Sequence, residues 1–297
     1  MLNYKGINYL RSKLLGVQSG VNLRFKQYSM EHNEVQLGIT IPPQLRLQYQ
    51  AVLGWCTKAV DSLADRLVFR EFEDDKFNVN EIFKQNNPDI FFDSLILSSL
   101  IASCSFVYIS KGDSGVPRLQ VIEASNATGI IDPITGLLTE GYAVLKRDEF
   151  GRPLMEAYFT SEETIIIDIL NKQEMVVRNP AGIPLLVPVI HAPDSVRPFG
   201  RSRITKSGMY QQKLAKRTLE RADVTAEFYS FPQKYILGMD EDAEPLETWR
   251  ATISSMLQIT ASGDGNAPTV GQFTTPSMSP FTEQLRTAAA LFAGEMG

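Results

Sequence analysis

Few residues in this chain have types and spacings that could do chemistry. His32 and His191 are its two histidines, so a Ser-His-Asp or Cys-His relay has only two possible bases. Neither stands at ligand spacing from a partner, and each reads as a loop residue. The two cysteines, Cys56 and Cys104, make no disulfide framework or metal site and point to a reducing or indifferent compartment. Neither a GxxxxGK[ST] phosphate loop nor a GxGxxG turn occurs, which disfavours an ATPase or a dinucleotide enzyme. Asp240, Glu241, Asp242 and Glu244 carry the oxygens a hard cation prefers. They lack EF-hand spacing and read as a solvated acidic loop. Asp132, Asp168 and Asp223 could serve a metal-dependent nucleic-acid-processing enzyme, but only by converging in three dimensions. No catalytic residue, metal site or cofactor is assigned from these patterns.

The other chemistry on offer is cationic, and one long helix must position it. Residues 201–221 hold seven Lys/Arg against Glu220 alone. From Arg203 to Tyr229 only Gly208 speaks against a helix, and Phe231-Pro232 stops it. Ser202 is the expected N-cap, its hydroxyl taking a first-turn amide. At ~1.5 Å per residue such a helix is roughly 40 Å long. Advancing ~100° per residue, one side collects Gly208, Ala215, Leu219, Ala222 and Ala226. The opposite side collects Lys206, Lys213, Arg217 and Glu220, with Lys216 nearby. Bulky residues (Ile204, Met209, Leu214, Leu219, Val224, Tyr229) walk around the helix instead of forming the single stripe of a surface helix. Such a helix is suited to being touched from several sides, most closely on its small-residue side. A solvated charged face is the plainer reading of the lysines, and few aromatics interleave with them as a stacking platform would need.

The 297 residues allow one large or two ordinary domains. With 43% hydrophobic and 21% charged residues, the composition is that of a globular protein with a real core. A net charge of −5 argues against tight binding of a nucleic-acid backbone by the chain as a whole. Residues 1–30 are basic without an acid, whereas Met239 to Glu247 is acidic. The N-terminus has no apolar signal-peptide core.

In chain order, 1–44 reads as a basic arm with a short helix on Ile7, Leu10, Leu14 and Val17 before Gly20. An amphipathic helix follows over Leu45 to Phe69. Asp89 to Ile109 is the most apolar stretch, but Asp93 and five serines interrupt it. A membrane span wants ~20 predominantly apolar residues with few charges. A buried helix, Phe91 to Ser103, feeding a core strand, Ser105 to Ile109, fits better; a peripheral membrane protein using this segment is the competing reading. Six strands follow: Arg118 to Glu123, Gly129 to Asp132, Leu138 to Lys146, Leu154 to Thr160, Thr164 to Leu170 and Glu174 to Arg178. The short turns between them favour antiparallel hairpins. Asn179 to Pro198 is expected to be an irregular linker. Beyond Pro232 come a strand, Lys234 to Leu237, the acidic loop, a helix over Leu246 to Leu257, and a strand, Thr269 to Thr274. A last helix opens at Ser279-Pro280 with its stripe on Phe281, Leu285, Ala289, Phe292 and Met296. The chain stops inside that pattern, which suggests a longer protein. The fold class expected is α+β.

Phe199-Gly200-Arg201-Ser202-Arg203-Ile204 opening the long helix and Phe231-Pro232-Gln233-Lys234-Tyr235-Ile236-Leu237-Gly238 closing it carry a family likeness. With the strand series around Asp132-Pro133-Ile134-Thr135-Gly136 and the Leu97 to Tyr108 segment, the chain resembles the portal proteins of tailed double-stranded DNA bacteriophages, of the siphophage type. The likeness extends over roughly residues 45–297 in order of elements. It implies a mixed α/β wing with antiparallel strands over 45–199, a first stem helix over 200–230, a small α/β clip over 231–277 and the start of a second stem helix over 278–297. The tunnel loop and crown are absent. It implies a non-enzymatic subunit of a homo-oligomeric ring, usually of twelve, at one capsid vertex of the virion, assembled in the host cytoplasm. Double-stranded DNA would pass through the ring during packaging and ejection. Partners would be the terminase large subunit, a head-tail adaptor, and major capsid and scaffolding proteins, with no membrane. Under the resemblance, Lys206, Lys213, Lys216, Arg217 and Glu220 would face the lumen or a neighbouring stem. Gly208, Ala215, Leu219, Ala222 and Ala226 would pack stem against stem, and Asp240, Glu241, Asp242 and Glu244 would dock terminase or adaptor.

Overall fold

The computed structural model describes residues 4–31, 49–112, 115–230, 234–237, 269–272, 274 and 277–296. His32, the acidic loop with Asp240, Glu241, Asp242 and Glu244, and the helix expected over 246–257 lie outside the described residues. The chain divides into two compact units, one of Met1–Asn33, Leu53–Tyr210 and Glu295–Gly297, the other of Glu34–Val52 and Gln211–Gly294. The fold is α+β with antiparallel sheets, as expected from the hairpin turns.

The first unit opens with helix α1 (Ile7–Tyr28), followed by α2 (Trp55–Ala64), α3 (Val79–Gln85) and α4 (Pro88–Ala102). Strands β1 (Cys104–Lys111), β2 (Pro117–Glu123) and β8 (Leu186–Ile190) form a sheet in the order β2-β1-β8. Strands β3 (Ala127–Ile131), β4 (Leu138–Arg147), β5 (Pro153–Phe159), β6 (Glu163–Asp168) and β7 (Gln173–Arg178) form a five-stranded antiparallel meander. All six expected strands are present to within two residues at each end. The expected apolar helix and core strand are α4 and β1.

β4 explains why the sheets are layered as they are. Its side chains alternate between two buried environments, with a bulge between Leu138 and Glu140 that turns Leu138 to the same face as Ala143. Tyr142 and Val144 meet Leu10 and Leu14 of α1. On the other face Leu138 and Ala143 join Phe106, Ile122, Ala157, Phe159 and Leu186 in a core drawn from both sheets. A strand covered on both faces needs a helix over it, and α1 is that helix. It runs to Tyr28, past the Gly20 where it was expected to end. Docking against β3 and β4 outweighs the ~1 kcal/mol penalty of each helical glycine.

Two further differences have simple causes. β8 lies inside the segment expected to be an irregular linker, and its centre is Pro188 opposite Phe106. A proline is tolerated there because β8 is an edge strand, where one side of the backbone needs no partner. Of the helix expected over 45–69, the described residues form α2, and residues 49–54 and 67–69 are not helical.

The second unit contains most of helix α5 (Lys206–Ser230), the strand pair β9 (Lys234–Leu237) and β10 (Thr269–Gln272), and most of helix α6 (Ser279–Met296). β9 and β10 are antiparallel, with Tyr235 opposite Gly271. Thr218 links the two helices, donating its hydroxyl to Gln284 Oε1 at 3.0 Å.

Candidate functional site

The site built most fully by the sequence is the root of the long helix. Every residue from Phe199 to Ile204 has a defined task in the first unit. Phe199 packs 6.3 Å, centroid to centroid, from Phe106, and the Lys13 ammonium lies 4.7 Å from the Phe199 ring centroid. Gly200 has φ +72°, and a Cβ there would overlap the backbone carbonyl oxygen of His191. The Arg201 amide donates to that same carbonyl at 2.9 Å. The Arg201 guanidinium grips Asp194 Oδ2 through Nε at 3.1 Å and Nη2 at 2.5 Å. Ser202 donates its hydroxyl to Ile101 O at 2.6 Å and accepts the Ile204 amide at 2.9 Å. The Arg203 amide donates to Leu100 O at 2.8 Å, and its guanidinium reaches the Met296 carbonyl. Ile204 is fully buried.

These bonds have a common purpose. Ile101 and Leu100 belong to the last turn of α4, whose carbonyls have no partners within their own helix. The chain from 201 to 204 supplies the missing donors, so the end of α4 and the start of α5 complete each other. Arg203 does the same for a last-turn carbonyl of α6, where a cation also suits the helix dipole. Ser202 is therefore not the N-cap of α5. That position belongs to Thr205, whose Oγ1 accepts the Gly208 amide at 3.0 Å.

His191 belongs to this root. Its Nδ1 lies 2.6 Å from Arg201 O; a carbonyl can only accept, so Nδ1 carries the proton. Asp194 is held below the usual carboxylate value of 3.8, first by the Arg201 guanidinium and then by the Arg197 and Val196 amides. Asp75, Asp132 and Asp168 are lowered by turn hydrogen bonds. A depressed folded pKa stabilises above the unfolded value and is lost as pH falls through the folded one. Thermal stability is thus expected to hold above pH ~4 and to decline below it. Asp194→Asn should flatten part of that decline in melts recorded from pH 5 to pH 2.

The faces of α5 separate the residues grouped by spacing. Lys206 and Lys213 are exposed and Arg217 is half-buried. Tyr210, 59% exposed, lies between the two lysines on the same side, which the spacing argument had passed over. Lys216 and Glu220 depart from the exposed charged side where they were expected. Both are buried, with Nζ and Oε1 3.7 Å apart. Gly208 and Ala215 are buried on the small-residue side, and Leu219, Ala222 and Ala226 are half-buried. The buried arc spans more than half of the helix circumference around 212–220, which accounts for Glu220.

A second polar constellation escaped the sequence reading. Glu140, 1% exposed on β4, accepts the Lys5 amide at 2.8 Å, the Gly6 amide at 3.1 Å and the Tyr158 hydroxyl at 2.8 Å. α1 has no side-chain cap and no acid in its first turn, so Glu140 supplies the negative charge its amino end favours. Burial, and then Glu140, raise the Tyr158 phenol. Glu156 pairs with Arg11 of α1 at 2.5 Å. The signal was a carboxylate at an inward position of an apolar strand, in phase with Tyr142 and Val144.

The carboxylates considered for metal chemistry do not converge. Asp132 accepts the Ile134 amide and the Thr135 hydroxyl in the β3–β4 turn, and Asp168 accepts Asn171 in the β6–β7 turn. In an antiparallel meander those turns lie at opposite ends of the sheet. Asp223 is an exposed residue of α5. Among the described residues no group of His, Cys, Asp and Glu could hold a metal ion. The Phe91 to Ile109 segment is used in α4 and β1, with Leu100, Ile101 and Phe106 buried. No helix among the described residues is long and apolar enough to cross a membrane.

Comparison with known proteins identifies a relative along nearly the whole chain. It is 25% identical over 289 residues to a portal protein of Mycobacterium phage L5, covering 91% of this chain and 59% of that relative. The chain thus spans well under two thirds of the relative's length. The resemblance to portal proteins read from the sequence is matched by this finding. No family model matches. Among solved structures, the chain is similar to a subunit in the virion of a native gene transfer agent particle, with a TM-score of 0.47 and 14% identity over 93% of this chain and 73% of that one. It is also similar to a chain in the neck of the native particle computed with C12 symmetry, with a TM-score of 0.39 and 13% identity over 92% and 72%.

Proposed function

We propose that this chain is the wing, first stem helix, clip and start of the second stem helix of a phage portal subunit. Copies would form a ring channel at one capsid vertex through which double-stranded DNA is packaged and ejected. The chain-long similarity to a portal protein carries this reading. The rooted helix supports it physically. A cyclic ring uses head-to-tail interfaces, so each subunit needs two different complementary surfaces. α5 offers a small-residue side and an exposed side with Lys206, Tyr210 and Lys213, and the segment leading into it, Phe199 to Ile204, is bonded within the first unit.

In this reading the protein is structural, located in the virion, and ATP hydrolysis belongs to a separate terminase. DNA must slide through the channel, and a densely basic lining would hold phosphates through counterion release. Isolated cations in an acidic chain suit sliding better. Lys206, Lys213 and Arg217 face the lumen or the neighbouring stem. Replacing all three by Ala should impair ring formation, or, where rings still form, lower the yield of DNA-filled capsids. Unchanged rings and unchanged packaging would remove that role.

The acidic segment with Asp240, Glu241, Asp242 and Glu244 is the proposed dock for a basic terminase or adaptor surface. Neutralising all four to Asn or Gln should weaken capture of that partner about tenfold, since charge complementarity governs such encounters. Unaltered capture would reject the dock while leaving the ring reading intact.

A further inference from the structure

Strand β7 is the outer strand of the five-stranded sheet, and all six of its residues are exposed. Met175, Val176 and Val177 are 57%, 58% and 43% exposed, so both faces present apolar groups to solvent. Proteins normally guard such an edge with charged side chains, a proline, a bulge or a very short strand, and β7 has charges only at Glu174 and Arg178, on either side of its apolar centre. β7 has no lysine or proline and pairs with β6 in unbroken register from Gln173 to Arg178.

The direction of its free backbone groups can be read from one bond. The Asn179 amide donates to Glu162 O at 2.7 Å. Hydrogen-bonded and non-hydrogen-bonded positions alternate along an antiparallel pair. Gln173, Met175 and Val177 therefore turn their backbone groups towards β6. Glu174, Val176 and Arg178 turn theirs outward.

We propose that this edge pairs antiparallel with the same edge of a second copy, centred on Val176. Val176 then faces its own counterpart, and Met175 faces Val177 of the second copy. Glu174 faces Arg178 of the second copy, and Arg178 faces its Glu174. Every outward backbone group from Glu174 to Arg178 meets another outward group, and two opposite charges meet twice. Shifting the register by two residues keeps the backbone bonds but separates both charge pairs. A one-residue shift sets outward groups against inward ones. Opposite charges directly across a ladder stabilise it and like charges destabilise it, so the strand's own sequence selects the register. The contact is two-fold and closes at two copies, unlike the head-to-tail contacts of a ring. It does not rest on the portal reading. Rings without this contact would sink the edge pairing alone, and this contact without rings would sink the portal reading alone.

The test uses three sets of variants of the chain. Met175 and Val177 of opposed strands form a non-hydrogen-bonded pair with Cα atoms ~4.5 Å apart, within the span of a disulfide. Under mild oxidation a mixture of Met175→Cys and Val177→Cys chains should give about tenfold more cross-linked dimer than either chain alone. The native Cys56 and Cys104 are buried and should not compete. Val176→Pro removes an outward N–H without touching a bond to β6, so self-association through the edge should disappear with the circular dichroism unchanged. Glu174→Arg should weaken that association about tenfold, and Glu174→Arg with Arg178→Glu should restore it. Equal cross-linking of either single-cysteine chain with itself would overturn the proposal. So would association indifferent to Val176→Pro, or a wild-type chain that makes no such contact at ~100 µM, where even a weak edge pair would be visible.

Discussion

Gly200→Ala is expected to be the most damaging glycine-to-alanine change among the described glycines. Gly200 sits at φ +72°, in the left-handed region that side chains avoid, and strain alone costs about 1 kcal/mol. The larger cost is steric. The new Cβ would overlap the His191 carbonyl oxygen and stand 2.7 Å from Ile190 Cγ2. That carbonyl is backbone, and it also accepts the Arg201 amide, so it cannot swing aside without losing the bond that starts the root of α5. We expect destabilisation of about 3–5 kcal/mol in denaturant titrations. Gly182→Ala is the control. Gly182 has φ +68° with open space around its missing Cβ, and its substitution should cost only about 1 kcal/mol. Equal losses at the two positions would mean that the close approach at His191 is unimportant. A subunit whose long helix is loose at its base should also fail to build any assembly that grips that helix.

The second large effect is expected at Glu140. Glu140→Ala leaves the Lys5 and Gly6 amides and the Tyr158 hydroxyl without their acceptor, a carboxylate that is itself only 1% exposed. A fully buried orphaned donor costs about 1–3 kcal/mol; with Lys5 exposed and Gly6 and Tyr158 half-buried, a summed loss of about 2–3 kcal/mol and a melting temperature lower by about 5–10 °C are expected. Glu140→Gln keeps the shape and one carbonyl acceptor and should recover about half of the loss. If Glu140→Ala melted within ~1 °C of wild type, its role in seating α1 would be refuted.

Local patterns were readable where one periodicity dominated. The strands from Pro117 to Arg178 are alternating runs between Asp-Pro-x-x-Gly, Gly-x-Pro and Asn-Lys turns, and that pattern places their ends to within two residues. The α5 helix was equally clear, because 25 residues contain only one interrupting glycine. What was hidden depends on tertiary contact. β8 carries Pro188 and looks irregular until the edge of β1 is beside it. α1 passes through Gly16 and Gly20 because β4 needs covering. Lys216 and Glu220 have charges that suggest water, yet the breadth of the contact around α5 buries both. Glu140 shows the converse: its strand is plain, but the two amides it accepts lie more than 130 positions away in sequence. The portal likeness rested on short segments at either end of α5, and the structure explains the first of them residue by residue, from Phe199 to Ile204.

The central claim is that α5 is gripped laterally by copies of itself around a hollow centre. Its most direct test is the mass of the chain carrying Val176→Pro, so that edge pairing does not contribute, by light scattering with top-view electron micrographs of the same sample. The account predicts closed rings of about twelve copies of a 33.2 kDa chain with a central opening. Particles of a single chain at every concentration, with no rings in the micrographs, would contradict it.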